Sequence, residues 1–211
     1  MAHVGIRDCL RINLLEYTRN AFNMLPPMEN PSILDVGCGT GLVSIELARM
    51  SNGHVTAIDT DLPSLIILQR KIKELELPHR FLIKQVSMLD LHLLGESYDI
   101  IWAEGSIYAI GFERGIRDWK QLLRKNGFLV VHDDDTAIEA KLKAIKEYGY
   151  KVIGQIEVSH EEWEERYYKP LLKILATKKL NDSEVIKLRK ELDTFKRIKM
   201  GSVFFVMQNK S

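Results

Sequence analysis

Nine residues, ILDVGCGTG at 33–41, restrict what this 211-residue chain can become more than any other feature. A short apolar run of strand character breaks into glycines at alternate positions and then gives way to LVSIELARM, with apolar residues at helical spacing. Gly37, Gly39 and Gly41 have no Cβ, so the backbone can turn sharply there and approach a ligand closely. A strand that passes through such a loop into a helix begins a βαβ unit. The crevice at the strand's carboxyl end is where doubly wound sheets bind ligands.

The rest of the chain keeps this rhythm. Helical spacing over 6–24 forms an N-terminal helix region within 1–31, closed by Pro26, Pro27 and Pro31. Strand signals lie at 32–37, 54–59, 80–86, 98–103, 127–132, 150–158 and 202–208. Helical patterns lie at 41–50, from Pro63 to about 77, at 112–124 and at 136–149. The alternation predicts an α/β fold: a seven-stranded sheet between two helical layers, built as a single domain over 1–211. The final strand is expected to run antiparallel beside 150–158. Residues 160–199 then form a helical insertion before it, with two helices divided near Asn181-Asp182.

Composition excludes more than it identifies. Thirty basic side chains stand against 29 acidic ones, which argues against the clustered basic excess of a dedicated nucleic-acid binder. Two cysteines are too few for a disulfide framework or a cysteine-rich zinc site. Charges interrupt the apolar residues of the N-terminal stretch, and no apolar run approaches the roughly 20 residues that span a bilayer. A cytoplasmic protein without membrane insertion is the expectation.

Asp59 ends the second strand, 22 residues after Gly37, a distance that suits a carboxylate on ribose hydroxyls. A phosphate-binding P-loop would need a lysine after its last glycine, where Leu42 stands; a GxGxxG dinucleotide loop would need glycine at 42. The pattern present is DxGxGxG, and Asp35 two residues before Gly37 would repel a pyrophosphate but suit a cationic ligand. In this pattern the chain resembles the Rossmann-like (class I) S-adenosylmethionine-dependent methyltransferases, motif by motif over about 30–150, on the side of their small-molecule enzymes.

That resemblance implies S-adenosylmethionine as cofactor and a methyl transfer by in-line displacement to a small or medium-sized organic acceptor. It implies that Gly37, Cys38, Gly39 and Gly41 pack against the methionine part, Asp35 reaches its amino group, and Asp59, with Thr60 beside it, holds the ribose. Ser87, where the family usually carries aspartate, and Met88 would line the adenine; Ala103 and Glu104 would sit beside the sulfonium and the acceptor. The oligomeric state stays open, a homodimer being one option. A non-catalytic S-adenosylmethionine sensor or partner subunit is the reading from a different class.

For a base, Glu104, Tyr108, His132 and Asp133 stand at strand ends, with Glu104 and His132 the catalytic candidates; His132 has the ordinary pKa nearest neutrality. The run Asp133-Asp134-Asp135 suits a helix N-terminus. Its alternative is a magnesium site of Glu104, Asp133 and Asp134, as in metal-assisted O-methyltransferases. Cys38 reads as a small loop residue rather than a nucleophile. Tyr17 is either a cover over the cofactor or a packed aromatic. Trp163, Tyr167 and Tyr168 fall on one helical side and form either a lid over the acceptor or the insertion's own core contact. The proline-aromatic signature of amino-group nucleic-acid methylation is absent after the fourth strand, where AEGSIY stands.

Overall fold

The computed structural model describes residues 5–177 and 183–210. Its centre is a seven-stranded sheet: β1 (Ser32–Val36), β2 (His54–Asp59), β3 (Phe81–Gln85), β4 (Tyr98–Glu104), β5 (Leu123–Asp134), β6 (Tyr150–Val158) and β7 (Ser202–Asn209). The spatial order is β3-β2-β1-β4-β5-β7-β6. Strands β1 to β5 run parallel, and β7 lies antiparallel between β5 and β6, as the sequence predicts. The order reverses at β1 and β4, so the carboxyl ends of these two strands border the crevice.

Period-two alternation builds two cores. Ile33, Val55, Ile100, Trp102, Val130 and Phe204 face one side; Leu34, Ile58, Ile101, Val131, Val203 and Phe205 face the other. The first side is covered by α1 (Ile6–Arg11), α2 (Leu15–Asn23), α3 (Leu42–Met50) and α4 (Leu62–Glu74). The insertion also covers it, through α7 (His160–Trp163), a π turn (Glu164–Tyr168), α8 (Lys169–Thr177) and α9 (Ser183–Ile198). The second side is covered by α5 (Phe112–Trp119) and α6 (Ile138–Glu147).

Several boundaries depart from the sequence reading. The helix expected over 6–24 is interrupted by a 3-10 turn at Ile12–Leu14. The helix expected over 112–124 ends at Trp119, and β5 begins early, at Leu123. A register shift between the pairs at Tyr98 and Ile100, with Asn126 at φ +60°, bends β5 near its start. The acids at 133–135 do not cap α6, whose first flanking residue is Ala137 at φ +52°. Asp134 instead accepts from Thr136 N at 2.9 Å, and Asp135 from Gly201 N at 3.0 Å. The expected division at Asn181-Asp182 lies outside the described residues. No described helix is long and apolar enough to cross a membrane.

Candidate active site

The glycine loop is held open by its own backbone. Gly37 N and Cys38 N both donate to Ile58 O at 2.9 Å, and Gly39 N donates to Asp59 Oδ2 at 2.8 Å. The second Asp59 oxygen accepts from Asp61 N at 2.9 Å, so one carboxylate fastens the loop to the end of β2. The glycines serve different ends. At Gly37 (φ +75°) an added Cβ would lie 2.5 Å from Ser106 Cβ, and at Gly41 (φ +79°) 2.1 Å from Leu68 Cδ1. Gly41 is therefore a packing requirement for α3 against α4. At Gly39 (φ +52°) a Cβ would meet nothing within 4 Å: its open side faces the crevice.

Beside the loop is a cavity of about 200 Å³ lined by Asp35, Gly37, Cys38, Gly39, Thr40 and Glu104. Three acids on it, Asp8, Asp35 and Glu104, have buried side chains. Asp35 accepts from Ser44 Oγ at 2.5 Å, and burial pushes its carboxyl up to about 7. Glu104 accepts from Thr18 Oγ1 at 3.0 Å and Trp102 Nε1 at 3.1 Å, with Arg11 Nη2 at 3.7 Å. Burial raises its pKa too, against the pull of Arg11. Two carboxylates forced toward neutrality on one wall, next to an open glycine backbone, form a cradle suited to a cationic ligand.

The first helix closes this cavity. Asp8 is buried, accepting from Thr40 Oγ1 and Lys71 Nζ, each at 2.6 Å, while Lys71 Nζ also donates to Thr40 O at 2.9 Å. The sequence reading missed this clasp. Its signal was an acid on the apolar face of an amphipathic helix.

A second cavity, about 670 Å³, adjoins the first; Arg7 and Arg11 line both. Its walls include Tyr108, His132, Trp163, Tyr168, Phe195 and Ser202. Trp163 and Tyr168 face it together because of the π turn. Five residues of α-helix would leave them about 140° apart, whereas i→i+5 bonding brings the fifth residue nearly over the first. Tyr167 instead points into the core, 3% exposed, so the three aromatics divide between cavity wall and core.

His132 does not fit the role of a base titrating near neutrality. It is buried, stacks on Phe204 with ring centroids 4.1 Å apart, and its Nε2 lies 2.7 Å from Ser202 Oγ. Burial and then Arg11 push its pKa down to about 3. The magnesium alternative is not assembled either: Lys141 Nζ pairs with Asp133 at 2.8 Å and Asp134 at 2.9 Å, and among the described residues no three metal-ligating side chains converge. Cys38 is buried with its thiol pKa raised by burial, the opposite of an activated nucleophile. Tyr17 donates to Glu162 at the start of the insertion, and its pKa is raised to about 12, chiefly by burial.

Gly41, Asp59, Thr60, Ser87, Met88 and Ala103 line neither cavity. Thr60 O accepts from Gln85 Nε2 at 3.0 Å, and Ser87 Oγ accepts from Leu89 N at 3.2 Å, capping its own turn. Ala103 is buried in the opposite core, whereas the Met88 methyl lies 3.8 Å from where a Gly37 Cβ would be.

Residues 33–127 match a family model described as a methyltransferase domain. The chain is 23% identical over 141 residues to 27-O-demethylrifamycin SV methyltransferase of Amycolatopsis mediterranei, covering 64% of this chain and 52% of that one. It is 31% identical over 87 residues to demethylmenaquinone methyltransferase of Porphyromonas gingivalis, covering 40% of this chain and 36% of that one. The chain thus spans about half or less of the length of these curated relatives. In fold it is similar to a SAM-dependent methyltransferase from Geobacter sulfurreducens, solved with S-adenosyl-L-homocysteine: TM-score 0.69, 15% identity, 98% of this chain and 99% of that one.

Proposed function

We propose that this chain is a class I S-adenosylmethionine-dependent methyltransferase, an enzyme that methylates a small or medium-sized organic acceptor held in the larger cavity. The observation that carries the reading is the pairing of two adjoining cavities, one acidic beside the glycine loop, one apolar and roomy. The cofactor, when bound, supplies an electrophilic methyl group on a sulfonium.

This chain's residues do the holding. Gly37, Cys38 and Gly39 offer the methionine end an open backbone, and Asp35 takes its ammonium. Asp59, ending β2 at the loop, takes the ribose hydroxyls with an oxygen lone pair left after its two backbone bonds. Met88 borders the adenine from the loop after β3. Glu104, reached from both α1 and α2, fixes the wall between the cavities and orients Arg11 toward the acceptor. The insertion lines the larger cavity with Trp163 and Tyr168, and alignment of the acceptor against it is the protein's main contribution to an in-line displacement.

The test combines calorimetry with transfer. S-adenosylhomocysteine should bind the purified chain, and methyl-labelled S-adenosylmethionine should label small molecules of a protein-free cell extract. Binding with no labelled product across extracts would point to a sensor; no binding at all would end the proposal.

A further inference from the structure

The wall of the larger cavity is a run of stacked rings. His160 lies on Phe195 with centroids 4.2 Å apart, and Phe195 lies on Tyr168 at 3.6 Å. Tyr168 lies 6.3 Å from Trp163, and Trp163 is parallel to His132 at 6.2 Å. Four of these rings, Phe195, Tyr168, Trp163 and His132, line the cavity. Phe195 is sandwiched between His160 and Tyr168 and His132 between Phe204 and Trp163, so these rings present edges, which favour the face of a flat apolar framework in edge-to-face contact.

The polar groups around it are unequal in sign. Each acid on the cavity is matched: Glu191 by Arg7 at 2.7 Å, and Asp133 and Asp134 by Lys141 at 2.8 and 2.9 Å. Lys187 and Lys190 of α9 line the same cavity and make no ion pair with a described side chain. Arg11 adds a charge where the cavity meets the cofactor side, its one acid partner, Glu104, standing 3.7 Å away. The lip is therefore basic while the wall is apolar.

We infer that the acceptor is a planar hydrophobic acid, its aromatic or conjugated framework against the ring wall and its carboxylate or similar anion on the Lys187–Lys190 lip. This rests on the methyltransferase reading and names the substrate class for that same site. A neutral acceptor would leave the lysine pair unused, and a cationic one would be repelled by it.

The test uses the full chain saturated with S-adenosylhomocysteine and two fluorescent probes, 1-anilinonaphthalene-8-sulfonate and its sulfonate-free counterpart N-phenyl-1-naphthylamine. At low salt the sulfonate should bind about tenfold tighter, an advantage that high salt erodes. In the Lys187→Gln/Lys190→Gln double variant the two probes should bind within about twofold of each other, with S-adenosylhomocysteine affinity unchanged. Phe195→Leu, which keeps bulk but removes a ring, should weaken both probes alike. Equal or tighter binding of the neutral probe, a preference that survives the double substitution, or no binding of either probe would overturn the inference alone. Failure of the wild-type chain to bind S-adenosylhomocysteine would overturn the methyltransferase reading and the acceptor class with it.

Discussion

Replacing Asp35 by asparagine should make the ligand-free chain more stable. The carboxyl is 2% exposed, and burial pushes its pKa from 3.8 to about 7, only partly offset by the Ser44 hydroxyl. A shift of about three units, at about 1.4 kcal/mol each, means that keeping this charge in the folded chain costs up to about 4 kcal/mol above pH 7. The sign follows from proton binding. Between the unfolded and folded pKa values the folded chain holds the extra proton, so stability falls as pH rises through that window, and the penalty is complete above about 7. An amide of the same shape keeps a hydrogen bond from Ser44 and carries no charge. Denaturant midpoints at pH 8 should show Asp35→Asn more stable by about 2–4 kcal/mol, a gain that fades toward pH 4. Binding should move the other way. A cationic methionine end favours the ionised carboxylate, so wild-type affinity for S-adenosylmethionine should fall about tenfold from pH 8 to pH 6, and the variant's should be weaker and flat. A variant no more stable than wild type at pH 8, or a gain that persists undiminished at pH 4, would refute the electrostatic argument.

Three other outcomes are expected. Asp59→Ala should raise the dissociation constant for S-adenosylmethionine by at least about tenfold in calorimetry, while costing the fold only about 1–2 kcal/mol for two lost backbone bonds. Gly41→Ala and Gly39→Val should separate packing from access: the first loses about 2–4 kcal/mol through the Leu68 clash, whereas the second meets no neighbour, costs only about 1–2 kcal/mol for a side chain at φ +52°, and loses cofactor binding. With His132 held neutral, its pKa pushed down to about 3, the rate profile of methyl transfer between pH 5.5 and 8 should keep its shape in His132→Gln.

What the sequence made legible was local or periodic. The unbroken apolar runs of β1, β2, β4 and β5 and the glycines at 37, 39 and 41 carry their conformations in residue type, so the strands and the loop were placed from them, whereas the spatial order of the strands came only with the structure. Spacing put Asp59 near the loop as a carboxylate for ribose, but its bond from Gly39 N came only with the structure. The second cavity was not. Its residues come from α1, the end of β5, the π turn and α9, and their meeting depends on how an insertion packs rather than on any short pattern. The same distance in sequence hid the true partners of the acids: Lys141 for Asp133, Gly201 for Asp135, Lys71 for Asp8. The π turn was invisible because glutamates, an arginine and tyrosines are ordinary α-helix residues. His132 was weighed on its solution pKa, whereas burial between Phe204 and Trp163 pushes that pKa down.

The short first helix has a consequence for the order of events in a catalytic cycle. Arg7 and Arg11 border both cavities, and α1 and α2 are tied at one end to the glycine loop through Asp8 and Thr40 and at the other to the insertion through Tyr17 and Glu162. On the methyltransferase reading, these helices would be one door for two rooms. A swing wide enough to exchange spent cofactor would also unroof the acceptor, so product and S-adenosylhomocysteine would leave through the same opening. Loosening the Asp8 latch should speed both departures together.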